Sequence, residues 1–374
     1  MLPQKRKVRA IAFYLPQFHP IPENNKWWGN GFTEWTNVAK AKPLFFGHYQ
    51  PHIPSDLGFY DLRLQETRHM QAEMAKAYGI EGFCYWHYWF AGKRLLETPF
   101  QEVLRSGEPD FPFCLSWANQ TWTGIWHGAP DRVLIKQTYP GVEDYTAHFY
   151  SVLDAFADAR YIKIDGKPVF VIYDPENLPD ALQFTDLWRE LAIKSGLKGL
   201  YFIGNSWNSL ALQANGFDAS YIDGMANIKN KMNWISRSYI DKICNKLIRR
   251  DLINCKHWYR KFLKKPVVYL YKDVVKYAIP EIKTNPTQFP CVIPNWDNTP
   301  RSGKNGIVFH NSTPELFRMQ LVKAISQAQQ YNDPELQLIF IKSWNEWAEG
   351  NYLEPDLKFG RAYLEVLQQE LQVT

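Results

Sequence analysis

Val8-Arg-Ala-Ile-Ala-Phe-Tyr-Leu15 is an apolar run with a single charge at Arg9, and a longer amphipathic pattern, Leu62–Tyr78, follows it. Continuous apolar runs suit parallel strands buried on both faces, and the longer pattern has a helical period. The pairing recurs. Further apolar runs lie at Gly82–Trp86, Phe113–Trp117, Val169–Tyr173, Leu200–Ile203, Ala219–Ile222, Cys291–Ile293 and Leu336–Ile341. Helical periodicity with charged faces lies at Leu95–Ser106, Tyr145–Ala159, Ala181–Ser195 and Pro314–Tyr331. Buried strands alternating with helices in this order predict an α/β fold, a (β/α)8 TIM barrel with insertions. A doubly wound sheet would carry a Gly-rich phosphate turn after an early strand. Here Gly79-Ile-Glu-Gly82 precedes a strand instead.

The 374 residues read as one catalytic barrel, since about 250 suffice for the fold and the rest supply insertions. A hydrophobic content of 45% with 22% charged residues excludes a disordered chain, and no apolar run is long enough for a membrane span. The five cysteines (Cys84, Cys114, Cys244, Cys255, Cys291) are odd in number and widely spaced, which fits reduced thiols rather than a disulfide framework or a zinc knuckle. No His-Glu-x-x-His, strict Asp-x-Asp, Gly-x-Gly-x-x-Gly or Gly-x-Ser-x-Gly motif occurs, so no metal and no cofactor are expected. The basic start, Met1 to Arg9, leads into an apolar stretch too short for a secretory signal, and the reading is a cytoplasmic protein.

Aromatic residues make up 16% of the chain, including 15 Trp. Core packing accounts for most such rings, yet Trp near polar residues also suits flat ligands such as sugar rings. The residues at strand ends sharpen this. Tyr14 ends the first strand, Trp86 and His87 the second, and Trp117, Asn119 and Trp122 the third; Tyr173 closes the fourth, and Trp296 and Asp297 follow the seventh. In a barrel these converge on the C-terminal face, where active sites lie. Each is a candidate substrate contact, as are Trp35, Trp344 and Trp347.

Residues 229–265 stand apart. They carry twelve Lys or Arg against Asp241 and Asp251, a local charge of +10 in a chain whose total is +5. Trp234, Ile240, Ile243, Leu247, Ile248, Trp258, Tyr259 and Phe262 are interleaved at helical spacing. This basic amphipathic insertion reads equally as a solvated helical face or as peripheral contact with an anionic membrane, which would place the protein at the inner face of the plasma membrane. Nucleic acid is not expected, because the remainder of the chain is acidic and lacks a recognition motif.

The chemistry-bearing run is Ile339-Phe-Ile-Lys-Ser-Trp-Asn-Glu-Trp-Ala-Glu-Gly-Asn-Tyr-Leu-Glu-Pro355. Glu346 and Glu349 are three apart, so a helical turn would set their Cβ atoms about 5–6 Å apart on one side. Two carboxyls walled by Trp344 and Trp347 push each other's pKa values apart, so that one stays protonated while the other ionises. Cleavage of a glycosidic bond needs such a pair.

Ser343-Trp-Asn-Glu-Trp-Ala-Glu-Gly350, followed by Glu354-Pro355, resembles the signature of family-99 glycoside hydrolases, the endo-α-mannosidases and endo-α-mannanases. The likeness is closer to the family-99-like WbsX group of bacterial surface-polysaccharide gene clusters. It extends to Ala12-Phe-Tyr-Leu-Pro-Gln-Phe-His19, Gly31-Phe-Thr-Glu-Trp-Thr-Asn37, Gly82-Phe-Cys-Tyr-Trp-His-Tyr-Trp89, Trp117-Ala-Asn-Gln-Thr-Trp122 and Pro294-Asn-Trp-Asp-Asn-Thr-Pro300. The resemblance implies a (β/α)8 barrel and retaining chemistry through a 1,2-anhydro sugar. In that scheme Glu346 is the base toward the sugar 2-OH and Glu349 the acid/base toward the leaving oxygen, with Tyr14 and Tyr173 near them. It also implies an oligosaccharide or polysaccharide substrate. Gln120 and His127 depart from the group, which more often has acidic residues there. A glycosyltransferase using an activated sugar donor and a non-catalytic sugar-binding barrel are the rival expectations, the second disfavoured by the intact glutamate pair.

Overall fold

The computed structural model describes residues 7–124, 129–232 and 266–372. Most of the basic insertion expected at 229–265 lies outside the described residues, as does His127. The eight barrel strands are β1 (Arg9–Tyr14), β2 (Gly82–Phe90), β3 (Phe113–Trp117), β4 (Lys167–Ile172), β5 (Tyr201–Asn205), β6 (Ala219–Ile222), β7 (Thr287–Val292) and β8 (Leu338–Ile341). Each pairs in parallel with its neighbours in chain order, and β1 closes the ring by pairing with both β8 (Ala10 opposite Ile339) and β2 (Ala12 opposite Phe83). The (β/α)8 barrel expected from the apolar runs is therefore the fold.

Helices Gln65–Ala77, Thr98–Ser106, Val142–Ala157, Ala181–Lys194, Ser209–Ala214, Tyr271–Ala278, Pro314–Ala328 and Ala362–Leu371 follow the strands in turn. They cover the outer face of the sheet, which is why the strands are apolar on both sides. Inside, Phe13 stacks on Trp86 at 4.8 Å and packs against Tyr221 and Phe340 at 5.3 Å. Outside, Trp188 from Ala181–Lys194 is buried against Phe170, Phe184 and Phe202. Much of the aromatic content is thus core.

Two differences from the sequence reading have local causes. Strand β7 begins four residues before the apolar run at Cys291, at Thr287. Its buried Gln288 is tolerated because the side-chain carbonyl accepts from Lys283 N at 2.7 Å and its own N–H donates to the Tyr331 hydroxyl at 2.8 Å. Strand β2 runs on past Trp86 to Phe90, where it turns back through Lys93–Leu95. Gly82, at the start of β2, is required there, since a Cβ would lie 2.4 Å from the Pro112 carbonyl oxygen.

Between β6 and β8 a lobe adds its own small core, Met225, Ile228, Tyr269, Tyr271, Val274 and Phe309, around the parallel pair Val267–Leu270 and Ile307–His310. Trp296 belongs to this core and walls the C-terminal mouth of the barrel. Among the described residues no helix is long and apolar enough to cross a membrane.

Candidate active site

The segment after β8 forms a tight hairpin rather than an α-helical turn. Asn345–Glu346 pairs antiparallel with Asn351–Tyr352, and Trp347–Glu349 is a single 3₁₀ turn between them. Gly350 reverses the chain at φ +58°, and a Cβ there would lie 2.8 Å from the Asp297 Cβ. The hairpin is tied down from several elements. Ser343 Oγ accepts from the N–H groups of Asn345 and Glu346, and the Asn345 side chain bonds both backbone groups of Leu15. Asp297 N donates to the Glu349 carbonyl at 2.6 Å. Trp347 stacks on Tyr352 at 3.8 Å, and its Nε1 donates to Glu354 at 2.6 Å.

These ties aim both glutamates into a cavity of about 320 Å³ at the barrel mouth. There one guanidinium meets three carboxylates. Arg301 donates from Nη1 to Glu349 at 2.7 Å, from Nη2 to Glu346 at 3.3 Å and from Nε to Glu34 at 2.8 Å. Glu346 also accepts from Trp86 Nε1 at 3.1 Å. Below them Lys342 pairs with Asp223 at 2.7 Å, its Nζ 5.8 Å from the centre of the Tyr173 ring.

The electrostatics follow from burial and charge count. Glu346 is pushed up to about 8, by burial first and by Glu349 second, against the pull of Arg301. Burial alone would lower Arg301, but Glu34, Glu349 and Glu346 outweigh it and hold the guanidinium charged. Burial and the neighbouring carboxyl thus favour the protonated form of Glu346 at neutral pH. Arg301 lies closer to Glu349 than to Glu346.

A consequence concerns stability. An unfolded glutamate ionises near its ordinary 4.5, while folded Glu346 holds its proton to about 8. Between these values the folded state binds more protons, so this residue costs stability as pH rises. Glu346→Gln removes the dependence. Thermal melts should show the variant gaining on wild type from pH 5 to pH 8, and a gap that stays constant would contradict the assignment.

Of the residues singled out in the sequence, Trp86, Trp122, Tyr173, Trp296, Glu346 and Glu349 line this one cavity. The others stand behind it. Trp344 and Trp347 are 0% and 1% exposed and brace the hairpin from below. Tyr14 is buried, donating to Gln71, whose amide donates in turn to Glu354. Trp35 donates to the Tyr60 carbonyl and packs on Trp347. Trp117 is fully buried against His148 and Phe184. His87 bonds His148 at 2.8 Å between Nε2 atoms, and burial pushes both rings well below the usual histidine range. Asp297 accepts from His48, Gln50 and Thr299, so it supports the Glu349 backbone rather than facing the cavity. Asn119 joins the ends of β3 and β4 by two 2.8 Å bonds to the Asp174 backbone.

Sequence reasoning missed Arg301, Glu34, Lys342 and Asp223. The last two were within reach of its own rule, since each is a polar residue directly after an apolar strand. Glu34 lies inside a quoted motif and Arg301 directly follows one. On the cavity wall Asn24 Nδ2, Trp296 Nε1 and Asn351 Oδ1 are buried without a hydrogen-bond partner among the described residues.

The family model described as glycosyltransferase WbsX matches residues 10–367. The chain belongs to this WbsX family. Two WxcX proteins, described as uncharacterized, from Xanthomonas campestris pv. campestris (strains ATCC 33913 and B100), are each 35% identical over 372 residues. The alignment takes in 99% of the chain, which spans about half the length of these curated relatives. Among solved structures, a glycoside hydrolase-like protein superposes with a TM-score of 0.58 at 15% identity, covering 100% of this chain and 96% of the other. The GH99 endo-alpha-mannosidase from Bacteroides thetaiotaomicron, in complex with bis-tris-propane, gives the same score and identity, with coverage of 97% and 95%. At that identity the likeness establishes that the WbsX-family chain shares their barrel fold.

Proposed function

We propose that this chain is a carbohydrate-active enzyme that cleaves or transfers a glycosidic bond, with retention, on a bacterial cell-surface polysaccharide or its lipid-linked precursor. The observation that carries this reading is the Glu346–Glu349 pair, bridged by Arg301 in an aromatic-walled cavity. Two adjacent carboxyls, one acting as acid and the other as base, are what acid–base cleavage of an acetal needs.

With substrate in place, Glu346 as carboxylate takes the proton of the sugar 2-OH while that oxygen bonds to the anomeric carbon. The glycosidic C–O bond breaks, and the leaving oxygen takes the proton of Glu349. In the second half Glu349 removes a proton from the incoming hydroxyl, which attacks the anomeric carbon as the bond from that carbon to O2 breaks, and Glu346 returns its proton to O2. Because the protonated form is favoured at Glu346, that residue must lose its proton before it can act as the base. Arg301 touches both carboxyls, so a small shift of the guanidinium toward Glu346 favours that ionisation.

Water as acceptor gives hydrolysis, whereas a sugar hydroxyl gives transfer. The family's description as a glycosyltransferase favours the second outcome. Proton NMR of the first-formed product from an α-linked manno-oligosaccharide, followed before mutarotation, tests the reading. The α-anomer is expected at the new reducing end or the new linkage, and a β-anomer would overturn the neighbouring-group scheme.

A further inference from the structure

Beside the catalytic cavity lies a second depression of about 460 Å³, in the size range of small-ligand sites. The two share Gln120, Thr121 and Thr123 on their walls, so they form one continuous surface. The lining differs sharply in charge. The catalytic cavity includes Lys229, Arg301 and Lys342, whereas among the described residues no lysine or arginine lines the neighbouring groove.

Its one ionisable acid, Asp174, is braced by amides. Gln120 Nε2 donates to Oδ2 at 3.1 Å, and Asn177 Nδ2 reaches both oxygens at 3.1 and 3.0 Å. A carboxylate has room for about four hydrogen bonds, so one acceptor site remains for a ligand hydroxyl. Tyr139 is half-buried on the wall with its hydroxyl fixed, donating to the Asn119 carbonyl and accepting from Asn119 Nδ2, both at 3.0 Å. Gln137 is about nine-tenths buried, and its side-chain oxygen takes no hydrogen bond from the protein. A buried acceptor without a partner is costly unless a ligand or water supplies a donor.

We infer that this groove is a subsite for a neutral sugar residue of the glycan chain, next to the residues at the bond being broken. The proposal rests on the glycosidic reading of the main cavity and extends it. Amides and a carboxylate match vicinal hydroxyls, a fixed ring matches the apolar side of a pyranose, and Asp174 without a basic neighbour on the groove repels a uronate or phosphate. The wall is held by hydrogen bonds between β3 and β4 ends before any ligand arrives, which lowers the ordering cost of binding.

Calorimetric titration of neutral α-linked manno- and gluco-oligosaccharides of two to five units, and of oligogalacturonides, tests it. The proteins are wild type, Asn177→Trp, which fills the groove from an exposed position, and Asp174→Asn. In wild type, affinity should rise at least about tenfold from the dimer to the tetramer, the worth of one charge-assisted hydrogen bond. Asn177→Trp should abolish that rise and leave dimer binding unchanged, and Asp174→Asn should narrow the preference for neutral over uronate chains. Affinity independent of length in wild type, or a rise that survives Asn177→Trp, overturns the subsite. Turnover by Glu346→Gln, run alongside, separates the two readings. If turnover is lost while the length effect survives Asn177→Trp, the subsite falls and the chemistry stands. If turnover persists while Asn177→Trp removes the length effect, the chemistry falls and the groove stands as a glycan site.

Discussion

Replacing Glu346 or Glu349 by Gln is expected to lower turnover by about 10²–10⁴-fold in each case, the usual contribution of a positioned acid or base. Each substitution keeps the shape of the side chain and removes its capacity to exchange a proton. The fold should survive, because the hairpin is held by Ser343, Asn345, Trp347 and the Asp297 backbone rather than by these carboxylates. The two variants should also differ from one another. An aryl glycoside with a good leaving group needs no protonation, so Glu349→Gln should recover much of its first-step rate on that substrate, whereas Glu346→Gln should not. Steady-state and burst kinetics with melts on the same preparations decide it. Activity near the wild-type level in either variant would remove the pair from the mechanism, and rescue of Glu346→Gln instead would exchange the two roles.

The second large effect is expected at Arg301. Arg301→Met leaves Glu34, Glu346 and Glu349 buried around an apolar side chain, and breaking a buried ion pair from one side typically costs about 3–5 kcal/mol. The penalty has a pH signature. The penalty grows with the charge left unpaired on the buried carboxyls, so the stability gap to wild type should be widest above pH 7 and narrow as acid protonates them. Arg301→Lys should recover part of the stability and little of the activity, because a point charge cannot hold three carboxylates in a fixed fork. Denaturant melts across pH test this, and a gap that does not depend on pH would mean that Arg301 acts through packing alone.

The barrel was legible because its evidence is local. A strand covered on both faces is written as an uninterrupted apolar run, and a covering helix as a 3.6-residue period, so neighbours in sequence suffice to read both. Glu346 and Glu349 could be offered as a candidate pair for the same reason, being three residues apart, although a hairpin rather than a helical turn brings them together.

The site's electrostatics could not be read that way. Arg301 meets its partners across 45, 48 and 267 positions of chain, and only barrel closure brings the segment after β1, the segment after β7 and the hairpin after β8 to one point. The fate of each tryptophan was equally non-local. Trp117 and Trp296 both lie at or after the end of a barrel strand, yet the first is sealed by Phe184 and His148 while the second reaches the cavity wall. Tyr14 and Asp297 were read as facing substrate and instead hold the Glu346–Glu349 hairpin from behind. Sequence alone determined the fold and offered Glu346 and Glu349 as the candidate pair, since hydrophobic period and close spacing are properties of a segment. Tertiary structure decided which charges surround that pair and which rings see the ligand, since burial and Coulomb interactions depend on distance in space and not on distance along the chain.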